Sequence, residues 1–522
     1  MTTGKFIFKA TLVIAFFSLM SKVLGLVRES VIAGLLGTSY LADAYQMSSK
    51  APNMLFTIVS GALATVIVPV YTEYASRGEK SEAWKLFKTM TVVVILFFLI
   101  ASIIGVIGAP LLVKLVAPGF SGETRALTVE LSRIILPWMI FAALASLFTQ
   151  LLNANNIFGL PTFSSSVNNI FIIIAALTLG KLYGVYGLTL GVMLAMAAMA
   201  LVQFPALYKA GFRVSLKMDL RHPGLRKIYN LALPSVFSIS VIQANVLVTS
   251  VLASWLPVGS VSSLGYADRL IQFSVGLLGM ALATAVFPTI SRLAAEGGME
   301  AFAATLLGSL KVVIIGIIPA SVGLITLSHP VVDLIYGWGA FDQKSVHMTA
   351  AALLFYSVGA VGQAAGFLLV RGFYSLQDTR APLKISIVQV LINLGLSLLL
   401  IDSFRHAGLA LATSLANLAY MALLMWYLGK KIPGLYRDGL LRFTLSVLAA
   451  AGLMAAASYT VNGALAGLLP GKTGVVLQLG LAVITGVAVF VAAIFALRVK
   501  EAQFFWQSAR KALSKRISAN GD

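Results

Sequence analysis

Residues 21–53 read SKVLGLVRESVIAGLLGTSYLADAYQMSSKAPN and carry five charged side chains, Lys22, Arg28, Glu29, Asp43 and Lys50, in an otherwise apolar stretch. The runs around them are long enough for two membrane-spanning helices, so the charges fall within the spans rather than between them. A charge near the bilayer centre costs at least about 2.5–3.5 kcal/mol and normally faces a wet cavity or a partner. Two helical turns take about 7.2 residues, so side chains seven apart share a stripe. Lys22 and Glu29 are so spaced, as are Asp43 and Lys50. Gly25, Gly34 and Gly37 are expected to loosen the first helix, and Pro52 to interrupt the second. The stretch reads as a polar, net-basic site buried in a membrane protein.

The rest of the chain has the same solvent preference. Its 522 residues are 59% hydrophobic and 11% charged, with mean hydropathy +0.94. Soluble domains carry about 25% charged residues. Apolar runs bounded by charges or turn residues predict an all-α integral membrane protein of about fourteen transmembrane helices, near 8–35, 40–70, 86–113, 126–153, 160–182, 185–208, 228–255, 262–292, 305–328, 346–376, 382–402, 407–429, 441–461 and 474–498. Lys5 and Lys9 before an apolar run resemble a signal peptide. That run is too long for one and lacks a small-residue cleavage pattern, so it is read as the first span.

The formal charge of +20 does not point to nucleic acid, because the basic residues sit in short loops between spans. There they set orientation. With the N-terminus inside, 27 of the 38 Lys and Arg fall on the cytoplasmic side and seven outside, leaving Lys22, Arg28, Lys50 and Arg269 within spans. Both termini are expected to be cytoplasmic. No cysteine is present, which excludes disulfides and thiolate chemistry, and His222, His329, His347 and His406 have no ligand spacing, so no metal or bound cofactor is expected.

The chain repeats itself. Ala62-Leu63-Ala64-Thr65-x-x-x-Pro69 returns as Ala281-Leu282-Ala283-Thr284-x-x-x-Pro288, 219 residues on; the same offset places Lys50 on Arg269, and Pro161 and Pro382 correspond at 221. Six spans per repeat is an even number, so two parallel six-helix lobes related by a pseudo-two-fold follow. The expected division is 1–220 and 221–432 for the lobes, 433–500 for two extra spans and 501–522 for a basic tail lying on anionic lipid. Lys22, Arg28 and Lys50 from one lobe and Arg269 from the other would line one cavity with Glu29, Asp43 and Asp268. Such a cavity suits a large anion such as a diphosphate, since Arg offers a bidentate fork and Lys a point charge. Asp378 with Arg380, and Glu73, read as loop-bracing groups.

Several of these segments together resemble the MurJ/MviN family: Ser21 to Glu29, Ala42-Asp43-Ala44-Tyr45, Lys50-Ala51-Pro52-Asn53, Val68 to Tyr74, Ala117-Pro118-Gly119-Phe120, Tyr266-Ala267-Asp268-Arg269-Leu270 and Arg371 to Pro382. The resemblance covers twelve spans and implies a lipid II flippase working by alternating access, which makes or breaks no bond and is not an enzyme. It carries the family's required basic residues onto Lys22, Arg28 and Arg269, with Asp43 as the matching acid, and it places the lipid tail in a groove beside the last two spans. Where the family has arginines after Pro52-Asn53, this chain has Phe56-Thr57, which leaves Lys50 to take over part of that contact. Coupling to the membrane potential, to H+ through Glu29 or Asp43, or to Na+ stays open, with Asn393 and Thr413 as the coupling-ion candidates. The expected partners are lipid II and membrane lipids, with a monomeric protein contacting cell-wall synthesis proteins. The rival readings are a flippase for another polyprenyl-diphosphate-linked sugar, a cation-drug exporter, which needs an acidic cavity, and a cell-wall glycosyltransferase, which needs a catalytic carboxylate and a sizeable outer loop.

Overall fold

The computed structural model describes residues 3–213, 218–432, 435, 439–466 and 471–497. The basic tail expected at 501–522 lies outside them. Among the described residues there is no strand. The chain divides into two compact units, Met1–Tyr266 with Tyr336–Ser345, and Ala267–Ile335 with Val346–Asp522.

The helices before the division are α1 (Thr3–Leu36), α2 (Tyr40–Ser48), α3 (Lys50–Ser76), α4 (Lys80–Ile107), α5 (Ala109–Val116), α6 (Gly122–Ile135), α7 (Trp138–Ala154), α8 (Gly159–Leu177), α9 (Leu179–Lys209) and α10 (Pro223–Ser254). Then come α11 (Ser260–Val275), α12 (Ala281–Ala295), α13 (Met299–Thr326), α14 (Ser328–Tyr336), α15 (Gln343–Val358), α16 (Ala360–Ser375), α17 (Arg380–Lys431), α18 (Leu440–Leu465) and α19 (Gly471–Ala496). A π-helical turn, Gly276–Met280, joins α11 to α12.

Among the described residues ten helices are long and apolar enough to cross a membrane, and twelve when the bent pairs α6–α7 and α15–α16 each count as one span. At about 1.5 Å per residue a straight α17 would far exceed the bilayer. Its 52 residues are broken at Arg405 (φ 50°, ψ −130°) and make two spans. Counting each half of α17 and the 34-residue α1 as a span brings the described helices to fourteen. Ile104, Ile107, Leu399 and Ile484 point outward, as lipid-facing side chains do.

The first span runs unbroken through Gly25 and Gly34 and ends at Gly37, which takes φ 58°. Those positions are small because something lies against them. A Cβ on Gly34 would sit 2.7 Å from the Trp338 ring, and one on Gly25 would touch the Asn169 amide at 3.9 Å. The second span is interrupted, at Ser49, between α2 and α3. Pro52 lacks the N–H that Ser48 would accept from, so the helix breaks three to four residues before it.

The repeat is visible in backbone turns inside each unit. Gly78 and Gly297 both take positive φ (82° and 74°), as do Asn156 and Gln377 (61° and 58°) and Gly184 and Arg405 (59° and 50°). The first pair is 219 apart and the others 221. Gly187 packs against Leu179 and Tyr183 as Gly408 packs against Leu400 and Phe404. Pro69 and Pro288 lie inside α3 and α12.

Compactness divides the chain inside α11, at Tyr266, rather than near 220. The reason is that α10 packs on α3: Ala62 and Val66 meet Ala232, Val236 and Ile239, and Lys227 Nζ lies 2.5 Å from Glu73 Oε2. The first unit's core is aromatic, with Tyr71, Phe87, Phe98, Trp138, Phe148 and Phe212 in one cluster. In the second unit α13 is the buried helix, through Phe302, Leu306, Leu310 and Val313. There α18 and α19 form a hairpin, tied where Ser458 Oγ donates to the Ala482 carbonyl over Gly486 (3.0 Å).

Candidate functional site

Arg28 lies on the face of α1 that meets α8. Ser21, Gly25 and Arg28 share this stripe, and Asn169 of α8, 6% exposed, meets all three. Its Oδ1 accepts from Arg28 Nη1 (3.0 Å), and its Nδ2 donates to the Ser21 carbonyl (3.0 Å). Glu29 Oε1 accepts from Arg28 Nη2 at 2.5 Å. Arg28 Nε is buried and has no acceptor among the described residues. Lys22 lies on the neighbouring stripe, half-buried, without an ion pair among the described residues. Arg28 is thus braced by Asn169 and Glu29 rather than loose.

Asp43 has another task. It is 2% exposed, and its two oxygens accept from the backbone N–H groups of Gly259 (2.7 Å) and Ser262 (2.8 Å). These are orphan donors at the start of α11, where a carboxylate also meets the positive end of the helix dipole. Asp43, expected among the substrate contacts, caps α11 through both of its oxygens. Lys50 opens α3 after the turn at Ser49, inside the apolar span Tyr40–Tyr74.

The end of α1 is closed over by Tyr336–Ser345, a segment of the same unit. Ala340 N donates to the Gly34 carbonyl (2.7 Å) and Trp338 Nε1 to Ser30 Oγ (2.9 Å). Gly339 has φ 64° and presses on the Gly34 backbone, and Gly37 has φ 58° against the Ala340 carbonyl; both need glycine. Ser345 Oγ donates to Asp342 Oδ1 (2.7 Å) and lies 2.7 Å from Thr38 Oγ1. The Ser345 hydroxyl and N–H hold the Asp342 carboxyl below its ordinary pKa.

Arg269 lies on α11 in the second unit and is exposed; next to it Asp268 Oδ1 accepts from Gln272 Nε2 (3.2 Å). Asn393 and Thr413 come together across the two halves of α17, where Asn393 Oδ1 accepts from Thr413 Oγ1 (3.5 Å) and Ser397 Oγ (3.4 Å). No cluster of three or more His, Asp or Glu able to hold a metal exists among the described residues. Phe56 turns into the first unit's core, its ring 5.3 Å from that of Trp138, which accounts for an aromatic there. Asp378 pairs with Lys431 (2.5 Å) rather than with the Arg380 side chain and accepts from the N–H groups of Arg380 and Ala381. Burial opposes ionisation of Asp378, but these donors outweigh it and leave its pKa lowered.

A family model described as lipid II flippase MurJ matches residues 32–471. This chain belongs to the MurJ family. It is 31% identical over 460 residues to the lipid II flippase MurJ of Burkholderia cenocepacia, covering 86% of this chain and 89% of the relative. A probable lipid II flippase MurJ of Vibrio cholerae is 32% identical over 447 residues, covering 83% and 85%. Among solved structures, a lipid II flippase MurJ in an inward closed conformation superposes with a TM-score of 0.79 at 25% identity, over 93% of this chain and 99% of that one. A MATE family transporter of the MOP superfamily, inward-facing, gives 0.70 at 15% identity over 82% and 99%, a likeness of fold alone.

Two contacts around the first span went unread in the sequence. Asn169 was one, although Asn168-Asn169 is a conspicuous polar pair in the apolar run 160–182. The other was Trp338 on Gly34, which joins residues 304 positions apart and has no local signal.

Proposed function

We propose that this MurJ-family protein is a lipid II flippase of the bacterial plasma membrane, moving the undecaprenyl-diphosphate-linked precursor from the inner to the outer leaflet. The observation that carries this reading is Arg28, a guanidinium inside a membrane-spanning helix with a buried N–H lacking an acceptor among the described residues. A cation so placed is costly in an apolar surround and is stabilised when an anionic group enters. Lys22, six residues earlier on the neighbouring stripe, adds a point charge suited to the same diphosphate. Membership of the MurJ family supplies the cargo class, and the excess of Lys and Arg in alternate loops supports cytoplasmic termini.

In this reading Lys22 and Arg28 hold the diphosphate by charge-assisted hydrogen bonds, and no covalent step occurs. The seam between the end of α1 and Tyr336–Ser345 is the outer closure, which must part for the headgroup to leave. The basic character of the α1 site disfavours a cation-drug exporter. Arg28→Ala or Arg269→Ala, each inserted at the normal level, should fail to support growth of a cell that depends on this protein. Normal growth on Arg28→Ala would contradict the reading.

A further inference from the structure

We infer that Asn169 is a positioning residue for Arg28, fixing which edge of the guanidinium is offered to a phosphate; the inference rests on the lipid II reading above. A guanidinium has one edge formed by Nε and Nη2 and a far corner at Nη1, and a phosphate or carboxylate engages best through two parallel bonds to one edge. Asn169 takes the far corner, through Oδ1 on Nη1 at 3.0 Å. It is itself immobilised, because Nδ2 is anchored on the Ser21 carbonyl at 3.0 Å and faces the Ser21 hydroxyl at 3.3 Å. The acceptor is therefore held by the same helix, two stripe positions away from the arginine it grips. The amide is 6% exposed, in a contact between α1 and α8 with Gly25 beneath it.

The remaining edge is only half used. Glu29 takes Nη2 through one oxygen, and Nε is buried without an acceptor among the described residues. Being next to Arg28 in sequence, Glu29 lies in place as a one-toothed acceptor. A diphosphate oxygen pair arriving at this edge gains Nε at once and replaces Glu29 at Nη2, while Asn169 keeps the plane from turning. Without Asn169 the guanidinium is free to swing its end-on pair of nitrogens toward Glu29, and the edge that fits the phosphate is lost.

The test uses the full-length protein in lipid nanodiscs with undecaprenyl diphosphate as the probe and undecaprenyl monophosphate as the control. Affinities are measured for the wild type, Asn169→Leu, Arg28→Lys and the double variant. Lysine has no fork to orient, so the two changes should not add. Asn169→Leu is expected to weaken diphosphate binding about tenfold in the wild type, and less than about twofold on the Arg28→Lys background. Asn169→Asp, which keeps the volume but lays a competing carboxylate on the guanidinium, should also weaken binding and carries the same cycle if the leucine variant does not fold. Wild-type affinity in the folded Asn169 variants, or losses that multiply in the double variant, would overturn the positioning role and leave the flippase reading intact. A wild type that does not prefer the diphosphate over the monophosphate would overturn both.

Discussion

At the level of single residues, the chain assigns unlike work to charges that look alike in sequence. Arg28 and Asp43 both sit in apolar spans, yet the first keeps a buried donor open and the second has both oxygens filled by backbone N–H groups. Removing the Asp43 carboxylate leaves the N–H groups of Gly259 and Ser262 buried and unpaired. Asp43→Ala should therefore cost about 1–3 kcal/mol, as for a lost helix cap or buried acceptor. Thermal unfolding in detergent should show the drop, with Asp43→Asn falling between; equal melting of all three would remove the capping role. The charge of Asp43 was legible in the sequence, but its partners lie 216 and 219 residues away and no spacing rule reaches them. Arg28 was more readable, because a guanidinium in a span demands a partner or a cavity whatever the fold. Its brace on Asn169 depends on which helix lies alongside α1, and the sequence does not encode that locally.

Among the elements, the turns carry the most information. Gly184 and Arg405 occupy the same turn of the repeat, with φ 59° and 50°. A side chain in that conformation is strained by about 1–3 kcal/mol. Arg405→Gly should relieve part of this and raise the melting temperature by a degree or two; a lower one would mean the arginine side chain contributes more than the strain removes. The seam at the end of α1 offers a sharper test, because the chain has no cysteine of its own. Thr38 and Ser345 hydroxyls lie 2.7 Å apart across the seam, which makes them the pair to replace by cysteines. Thr38→Cys with Ser345→Cys should crosslink under mild oxidation, stop transport and recover with reductant. Transport continuing at full rate in the crosslinked protein would show that the seam does not part. Pro52 was a reliable sign of the break at Ser49, since a missing N–H acts locally, whereas Gly25 and Gly34 misled: glycine in a span marks a close approach as often as a bend.

For the whole molecule, span count and repeat were written in hydropathy and in the offsets of 219 and 221, because lipid imposes a length on every crossing. The placement of α10 with α3 was not, because both helices are amphipathic only weakly and their pairing is decided by the fit of Ala62 and Val66 against Ala232. On the proposed reading, lipid II crosses the membrane on this protein by way of the Arg28 site. The most direct measurement is transfer of labelled lipid II between leaflets of vesicles reconstituted with purified wild type or Arg28→Ala at matched density. Transfer by the wild type should run well above protein-free vesicles and return to background in Arg28→Ala. Equal transfer by the two proteins would contradict the site, and background transfer by the wild type would contradict the cargo.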